Sequence, residues 1–452
     1  MTDCRERLII SYSRNFRTSD NENMDRSSKV TILMTEILEL PPSCLEFVPV
    51  RLEEGVEYFV VGTYHLHNDE TELEIEYENR EDASNNAQEP LKQSREGSLI
   101  LFSLCGRKLT LIDTIPYPSA VLDLHFYNDT LAVASSTGTI SIYQLIKNSQ
   151  SLNLQHVTTH KVAQKDTLVL SLTWYPHDKT LKSCQPSVLF YTLSNGEVLA
   201  AYISADFKSF TILNSGAPLI KHDDNAWICT VASNVLFSGG DDSKLNRLHF
   251  DIQETHDSGK DQILIERSKK NSDDNHFGQA CFKGHNAGVT AIIILPLPST
   301  VKGDTFILTG SYDDHVRVFA SSTEPLSRIP GVHKLAELLV GGGVWRLKLI
   351  EAYPTKPVTD EKEWEYIVLA SCMFVGARIL KIKGSYHGSW SIQLGAKMTA
   401  HQSMCYSCDV QPQRSSSQKF KEDSWSGKPS KTWTIVSSSF YDRLLVIWEY
   451  KP

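Results

Sequence analysis

Three segments far apart in this chain share one pattern. Phe237-Ser-Gly-Gly-Asp-Asp242, Leu308-Thr-Gly-Ser-Tyr-Asp-Asp314 and Val436-Ser-Ser-Ser-Phe-Tyr-Asp442 each pass from apolar residues through small ones into an acidic turn. His315-Val-Arg-Val-Phe319 and Leu444-Leu-Val-Ile-Trp448 continue two of them with apolar, mostly β-branched or aromatic residues. That is strand, tight turn, strand: such side chains build strands, and aspartate supplies the turn. Weaker copies are Tyr58-Phe-Val-Val-Gly62, Leu131-Ala-Val-Ala-Ser135, Val188-Leu-Phe-Tyr-Thr192 and Tyr366-Ile-Val-Leu-Ala370. Seven units result, at intervals of roughly 45 to 75 residues, longer than the ~40 to 45 of a bare four-stranded repeat. The surplus lies in polar stretches, Glu78 to Gly97, Glu254 to Gln279 and Gln411 to Lys431, which read as surface-loop insertions. Helical periodicity is scarce, and only His333 to Leu339 reads as a short helix.

Composition narrows the function classes. With 452 residues, 41% of them hydrophobic, the chain has material for a large core. Its 45 Lys+Arg against 54 Asp+Glu argue against a nucleic-acid or anionic-membrane binder, which needs a basic face. The longest apolar stretch, Val289 to Leu297, is interrupted by Pro296 and falls well short of the ~20 residues of a membrane span. The first residues carry charge where a secretion signal has its apolar core, and nine cysteines lack a framework spacing. A cytoplasmic protein is the expectation.

Each unit also has an upstream strand, such as Val121-Leu-Asp-Leu-His-Phe126, Ala226-Trp-Ile-Cys-Thr-Val231 or Gly343-Val-Trp-Arg-Leu-Lys-Leu349. Three of these follow a loop histidine, His222, His285 or His401. In the last unit His401, Ser438, Asp442 and Trp448 stand where a WD repeat has its structural tetrad, so the chain resembles WD-repeat β-propellers. The resemblance implies an all-β, seven-bladed propeller with long polar loop insertions. Residues 1–28 are expected to be a disordered extension, and 29–452 the propeller. The strand Val30 to Leu38 would close the last blade and remove an exposed edge. A closed ring also has no need of a partner subunit, and a monomer is expected.

No nucleophile elbow, phosphate loop, dinucleotide fingerprint or zinc-protease motif is present. Cys405-Met-Tyr-Ser-Cys408 is not read as a metal site, because residues three apart on a strand point to opposite faces. No metal site is expected. The tetrad accounts for His222, His285 and His401 with Asp242, Asp313 and Asp442 without catalysis. It leaves Trp227, Trp345 and Tyr406 on inner strands, with Tyr312 and Tyr441 just before turn aspartates. Such aromatics commonly fill gaps between blades; with Asp241, Asp314 and Arg346 nearby they also suit a ligand site at one mouth of the channel. The glycines before Val344, Gly342 and Gly343 among them, would let backbone approach a ligand closely.

The combination is narrower than WD repeats in general. His222-x-x-x-Ala226-Trp-Ile228, Ser238-Gly-Gly-Asp-Asp242, Thr309-Gly-Ser-Tyr-Asp-Asp-His315, Gly342-Gly-Val-Trp-Arg346, Leu369-Ala-Ser-Cys-Met373 and Ser439-Phe-Tyr-Asp442 with Trp448 together resemble the diphthine methylesterase family. The resemblance runs from about Thr35 to Tyr450. It implies hydrolysis of the methyl ester of methylated diphthine, on the modified histidine of translation elongation factor 2, during diphthamide biosynthesis, without a cofactor. The quaternary ammonium of that substrate suits a cage of Trp227, Trp345, Tyr312, Tyr406 and Tyr441, with Asp241 or Asp314 adding charge. His315 is the candidate base, and Arg346 or the backbone near Gly342 and Gly343 the candidate oxyanion donor. The competing reading is a non-catalytic WD-repeat scaffold for protein complexes.

Overall fold

A computed structural model describes residues 29–67, 94–148, 151–175, 187–204, 206–257, 260–267, 279–297, 304–322, 331–355, 363–386, 388–413 and 431–452. Residues 1–28, expected to form a disordered extension, lie outside them, as do most of the expected insertions Glu78 to Gly97 and Gln411 to Lys431 and half of Glu254 to Gln279.

The apolar, alternating segments pair into seven antiparallel sheets of four or five strands, most of them ordered from inside outward as the chain runs. The inner strands are Pro42–Phe47, Val121–Tyr127, Val169–Trp174, Ala226–Ala232, Val289–Leu295, Val344–Pro354 and Cys405–Val410, defining blades one to seven. Each inner strand packs beside the next and the seventh beside the first, so the ring is closed around a central channel. The N-terminal strand Lys29–Ile37 pairs with the C-terminal Leu444–Lys451 as the outer strand of blade seven. Both ends of the chain thus share one sheet. The fold is a seven-bladed β-propeller.

Burial follows from this arrangement. Every neighbouring pair of blades has its own apolar cluster, as in Val121, Leu124 and Leu131 against Val60 and Leu99 between blades one and two. An eighth cluster belongs to no single interface and sits at the channel mouth. No α-helix occurs among the described residues, and none of their helices is long and apolar enough to cross a membrane. His333 to Leu339, expected as a short helix, belongs to the strand Gly331–Leu339, paired with His315–Ser322. Partnering with an edge outweighs a local helical period in so short a run. Part of the expected insertion after Glu254 is also a ladder: Lys244–Asp257 pairs with Lys260–Arg267 as a long hairpin.

The histidine networks hold the blade tops. In blade seven, Trp448 Nε1 donates to Ser437 Oγ at 3.0 Å, and His401 Nε2 lies 2.9 Å from the same oxygen. His401 Nδ1 meets Ser439 Oγ at 2.7 Å, while Asp442 accepts from the Gln402 amide and Ser403 hydroxyl. Ser438, expected in this network, instead meets Ser407 Oγ on the other face of the sheet. Side chains alternate along a strand, so the serines on His401's face are 437 and 439. In blade five Phe319 stands in the tryptophan's place and packs on the His285 ring, and Arg317 bonds Asp313 at 2.8 Å.

Candidate active site at the channel mouth

A single backbone irregularity positions the site. Every inner strand carries a β-bulge at its first turn of pairing, at Pro42/Cys44, Val121/Asp123, Val169/Ser171, Ala226/Ile228, Val289/Ala291, Val344/Arg346 and Cys405/Ser407. A bulge leaves one residue unpaired and re-aims its side chain. Five of the seven bulged residues, Leu122, Leu170, Trp227, Trp345 and Tyr406, converge in the cluster at the mouth. The other two carry hydroxyls and staple the next blade: Ser43 donates to Val121 O at 2.6 Å, and Thr290 to Val344 O.

The bulge also corrects the expectation for Cys405 and Cys408. Both face the cluster between blades six and seven, because the extra residue resets the alternation. Burial raises both thiol pKa values, so neither is a ready thiolate. No group of metal-ligating side chains occurs among the described residues.

The aromatic rings touch one another in sequence round the mouth. Trp227 lies edge-on to Trp345 at 5.3 Å between ring centres, Trp345 meets Tyr406 at 5.1 Å, and Tyr406 meets Phe440 at 5.1 Å. Tyr312 contacts both tryptophans, and Tyr441, half exposed, stacks its edge on Phe440. Trp227 and Trp345 are 5% and 3% exposed, so the rings fill the mouth. Asp241 accepts from Trp227 Nε1 and from Asn225 Nδ2. Burial raises the pKa of Asp241, and likewise that of Asp314, which stands at φ 63° in the turn after Tyr312.

The glycines serve the protein's own packing. Gly341 adopts φ 87°, a left-handed turn; a Cβ at Gly342 would meet Val375 at 2.8 Å, and one at Gly343 would meet Met373 Sδ at 3.0 Å. The close approach expected for a ligand is thus taken by neighbouring side chains. Gly288, not singled out from the sequence, has the same role: a Cβ there would lie 2.8 Å from Asp241 Oδ1.

Arg346 follows the bulge at Trp345 and points into the channel directly beneath it. Its guanidinium lies 5.2 Å from the Trp345 ring, donates to Trp345 O at 3.1 Å and reaches within 3.6 Å of Asp123 from blade two. His315 is elsewhere, at the head of the third strand of blade five, two strands outward from the mouth. Its Nδ1 donates to Asp313 O at 2.6 Å, because a carbonyl only accepts, which leaves Nε2 as the basic nitrogen. The structure does not bring His315 to Arg346.

Sequence reasoning missed a charged belt below the mouth. Glu46 Oε2 lies 3.0 Å from His125 Nδ1, and Lys348 Nζ lies 3.0 Å from Asp409 Oδ1 and 3.9 Å from Glu46. Asp123 lies 3.5 Å from His125 Nε2. Burial alone would lower the His125 pKa, but the two carboxylates outweigh it and hold the imidazole protonated, at about 10. Burial opposes ionisation of Asp123 too, yet His125 and Arg346 bring it down to about 2. The available signal was polar residues two apart on inner strands, Asp123 with His125 and Arg346 with Lys348, where an interior strand has no apolar reason for them.

Comparison with known proteins places this geometry. No family model matches the chain. The diphthine methyltransferase of Saccharomyces cerevisiae is 26% identical, over 94% of this chain and 100% of that protein. The diphthine methyltransferase of Mus musculus is 24% identical, over 84% of this chain and 69% of that protein. The chain is similar to both of these proteins along most of its length. A chain of the mitotic checkpoint complex crystal structure superposes with a TM-score of 0.50 at 13% identity, covering 96% of this chain and 97% of that one, a likeness of fold alone.

Proposed function

We propose that the protein acts in diphthamide biosynthesis as a methyl ester hydrolase, removing the ester methyl of methylated diphthine on elongation factor 2. The observation that carries this reading is the stacking of two chemistries along the channel axis. An aromatic cluster with a buried carboxylate at its edge, Asp241, suits a quaternary ammonium. A guanidinium immediately below it, Arg346, suits an ester carbonyl whose oxygen becomes negative during attack. Trp227, Trp345, Tyr312 and Tyr406 form the cage in this reading, with Tyr441 and Asp314 at its outer rim.

Arg346 keeps the oxyanion role expected of it. The role expected of His315 passes to Asp123, the carboxylate facing Arg346 across the channel, because His315 stands two strands away. With its pKa near 2, Asp123 is ionised at neutral pH and orients water by accepting its hydrogen, without retaining the proton.

The test is mass spectrometry of elongation factor peptides carrying the methylated intermediate, after incubation with purified protein and no methyl donor. Loss of one methylene mass with release of methanol is expected. Methyl gain that requires a donor would favour the transfer named for the relatives, and no change on authentic substrate would favour a scaffold. Replacing Trp227 and Trp345 together by Ala should weaken substrate binding at least about tenfold, since each cation–aromatic contact contributes ~0.5–2 kcal/mol.

A further inference from the structure

The channel below the mouth is lined by charged side chains that are partly exposed. His125 and Lys348 have side chains 39% and 40% exposed, and Arg346 18%, although all three project from inner strands within a closed ring. The bulged residues above them are buried in mutual contact. The open space at these cations therefore lies within the ring, below the buried mouth residues.

Blade stapling explains part of this belt. Asp409 accepts from Phe47 N, Glu46 from Phe126 N and Asp123 from Leu172 N, each carboxylate tying its blade to the next. Stapling needs only the carboxylates. It does not account for three cations turned into solvent within the ring, nor for Thr173 and Thr230, half-buried at the corresponding level of blades three and four.

A protein substrate changes the supply of water. Seating a side chain of a large protein in the mouth covers the surrounding face, since specific interfaces bury ~800 Å² per partner. Hydrolysis beneath that cover needs water from elsewhere. We propose that the central channel is the solvent route of the reaction, admitting water to the ester from below and releasing methanol the same way. This inference rests on the hydrolytic reading above. In the step, the water oxygen bonds to the ester carbonyl carbon and the carbon–methoxy bond breaks. One water proton completes methanol; the other leaves through the channel carboxylates to solvent.

The experiment narrows the channel without touching a charge or a mouth residue. Thr230→Phe is compared with wild type on two substrates, the intact modified elongation factor and the free methylated diphthine methyl ester. On the intact factor, kcat should fall at least about tenfold, or ~1.4 kcal/mol, with KM within about twofold. On the free ester, which leaves the mouth uncovered, kcat should not change. Unchanged rates on both substrates, or equal loss on both, overturn the channel route. Thr173→Phe replaces the variant if Thr230→Phe melts well below wild type. Wild-type protein inactive on both substrates overturns the hydrolytic reading itself, and the route with it.

Discussion

Ser437 and Ser438 are adjacent and chemically identical, yet they face opposite sides of one strand. Ser437 Oγ serves both His401 and Trp448 in a fully buried network. Ser437→Ala leaves two buried ring nitrogens short of a partner and should cost about 1–3 kcal/mol in denaturant unfolding. Ser438→Ala breaks only the bond to Ser407 and should cost less. His125 makes a second prediction at this scale. Its folded pKa, about 10, lies above the ordinary 6.5, so its stabilisation is complete below pH 6.5 and is lost as pH rises towards 10. Asp123 works in the other direction: its stabilisation is present above about pH 4 and is lost as pH falls towards 2. His125→Gln should therefore flatten the alkaline side of a stability–pH profile and also shorten the acid limb, because His125 is the chief charge that lowers the Asp123 pKa.

At the scale of elements, the inner strand is the unit that positions the proposed site. Its bulge turns one residue to the mouth, and the following alternate residues line the channel. Trp345, Arg346 and Lys348 thus come from one strand but stand at successive depths. Arg346→Lys tests this spacing. Lysine keeps the charge but lacks the planar fork that lies beneath Trp345 while reaching towards Asp123. A drop in kcat of about tenfold or more is expected, with little change in KM and no change in melting temperature above a few degrees. Gly288→Ala should act on the cage instead, because its methyl would press on Asp241 and Tyr312 and so on the Trp227 ring that Asp241 holds. Its effect should appear in KM.

For the whole molecule, closure of the ring is the main problem, and the two ends of the chain solve it together. Lys29–Ile37 covers the outer edge of Leu444–Lys451, and Asp409 binds the Phe47 amide across the seam between blades seven and one. Deleting residues 29–37 exposes Leu444–Lys451 as an unpaired edge. The shortened protein should melt at lower temperature and self-associate by edge pairing, read by calorimetry and size-exclusion chromatography. Seven separate inter-blade clusters imply that damage within one interface stays local, whereas damage at the seam opens the ring.

Strand and turn chemistry made the seven units, the histidine networks and the aromatic residues at inner-strand starts legible from the sequence. These are local signals: alternation, small residues before an aspartate, a histidine in a fixed place. The bulges were not legible, because a bulge exists only against a paired strand. Without them Cys405 and Cys408 were assigned to opposite faces, and Leu122 and Leu170 had no visible link to the tryptophans. The belt of Glu46, Asp123, His125, Lys348 and Asp409 depended wholly on tertiary structure. Its members are drawn from four blades, and only closure of the ring brings carboxylates near the start and end of the chain within reach of one lysine. His315 shows the same limit in reverse. The sequence placed it beside promising residues, but strand order carried it outward from the mouth, because neighbours along the chain of a propeller are spread radially across a blade.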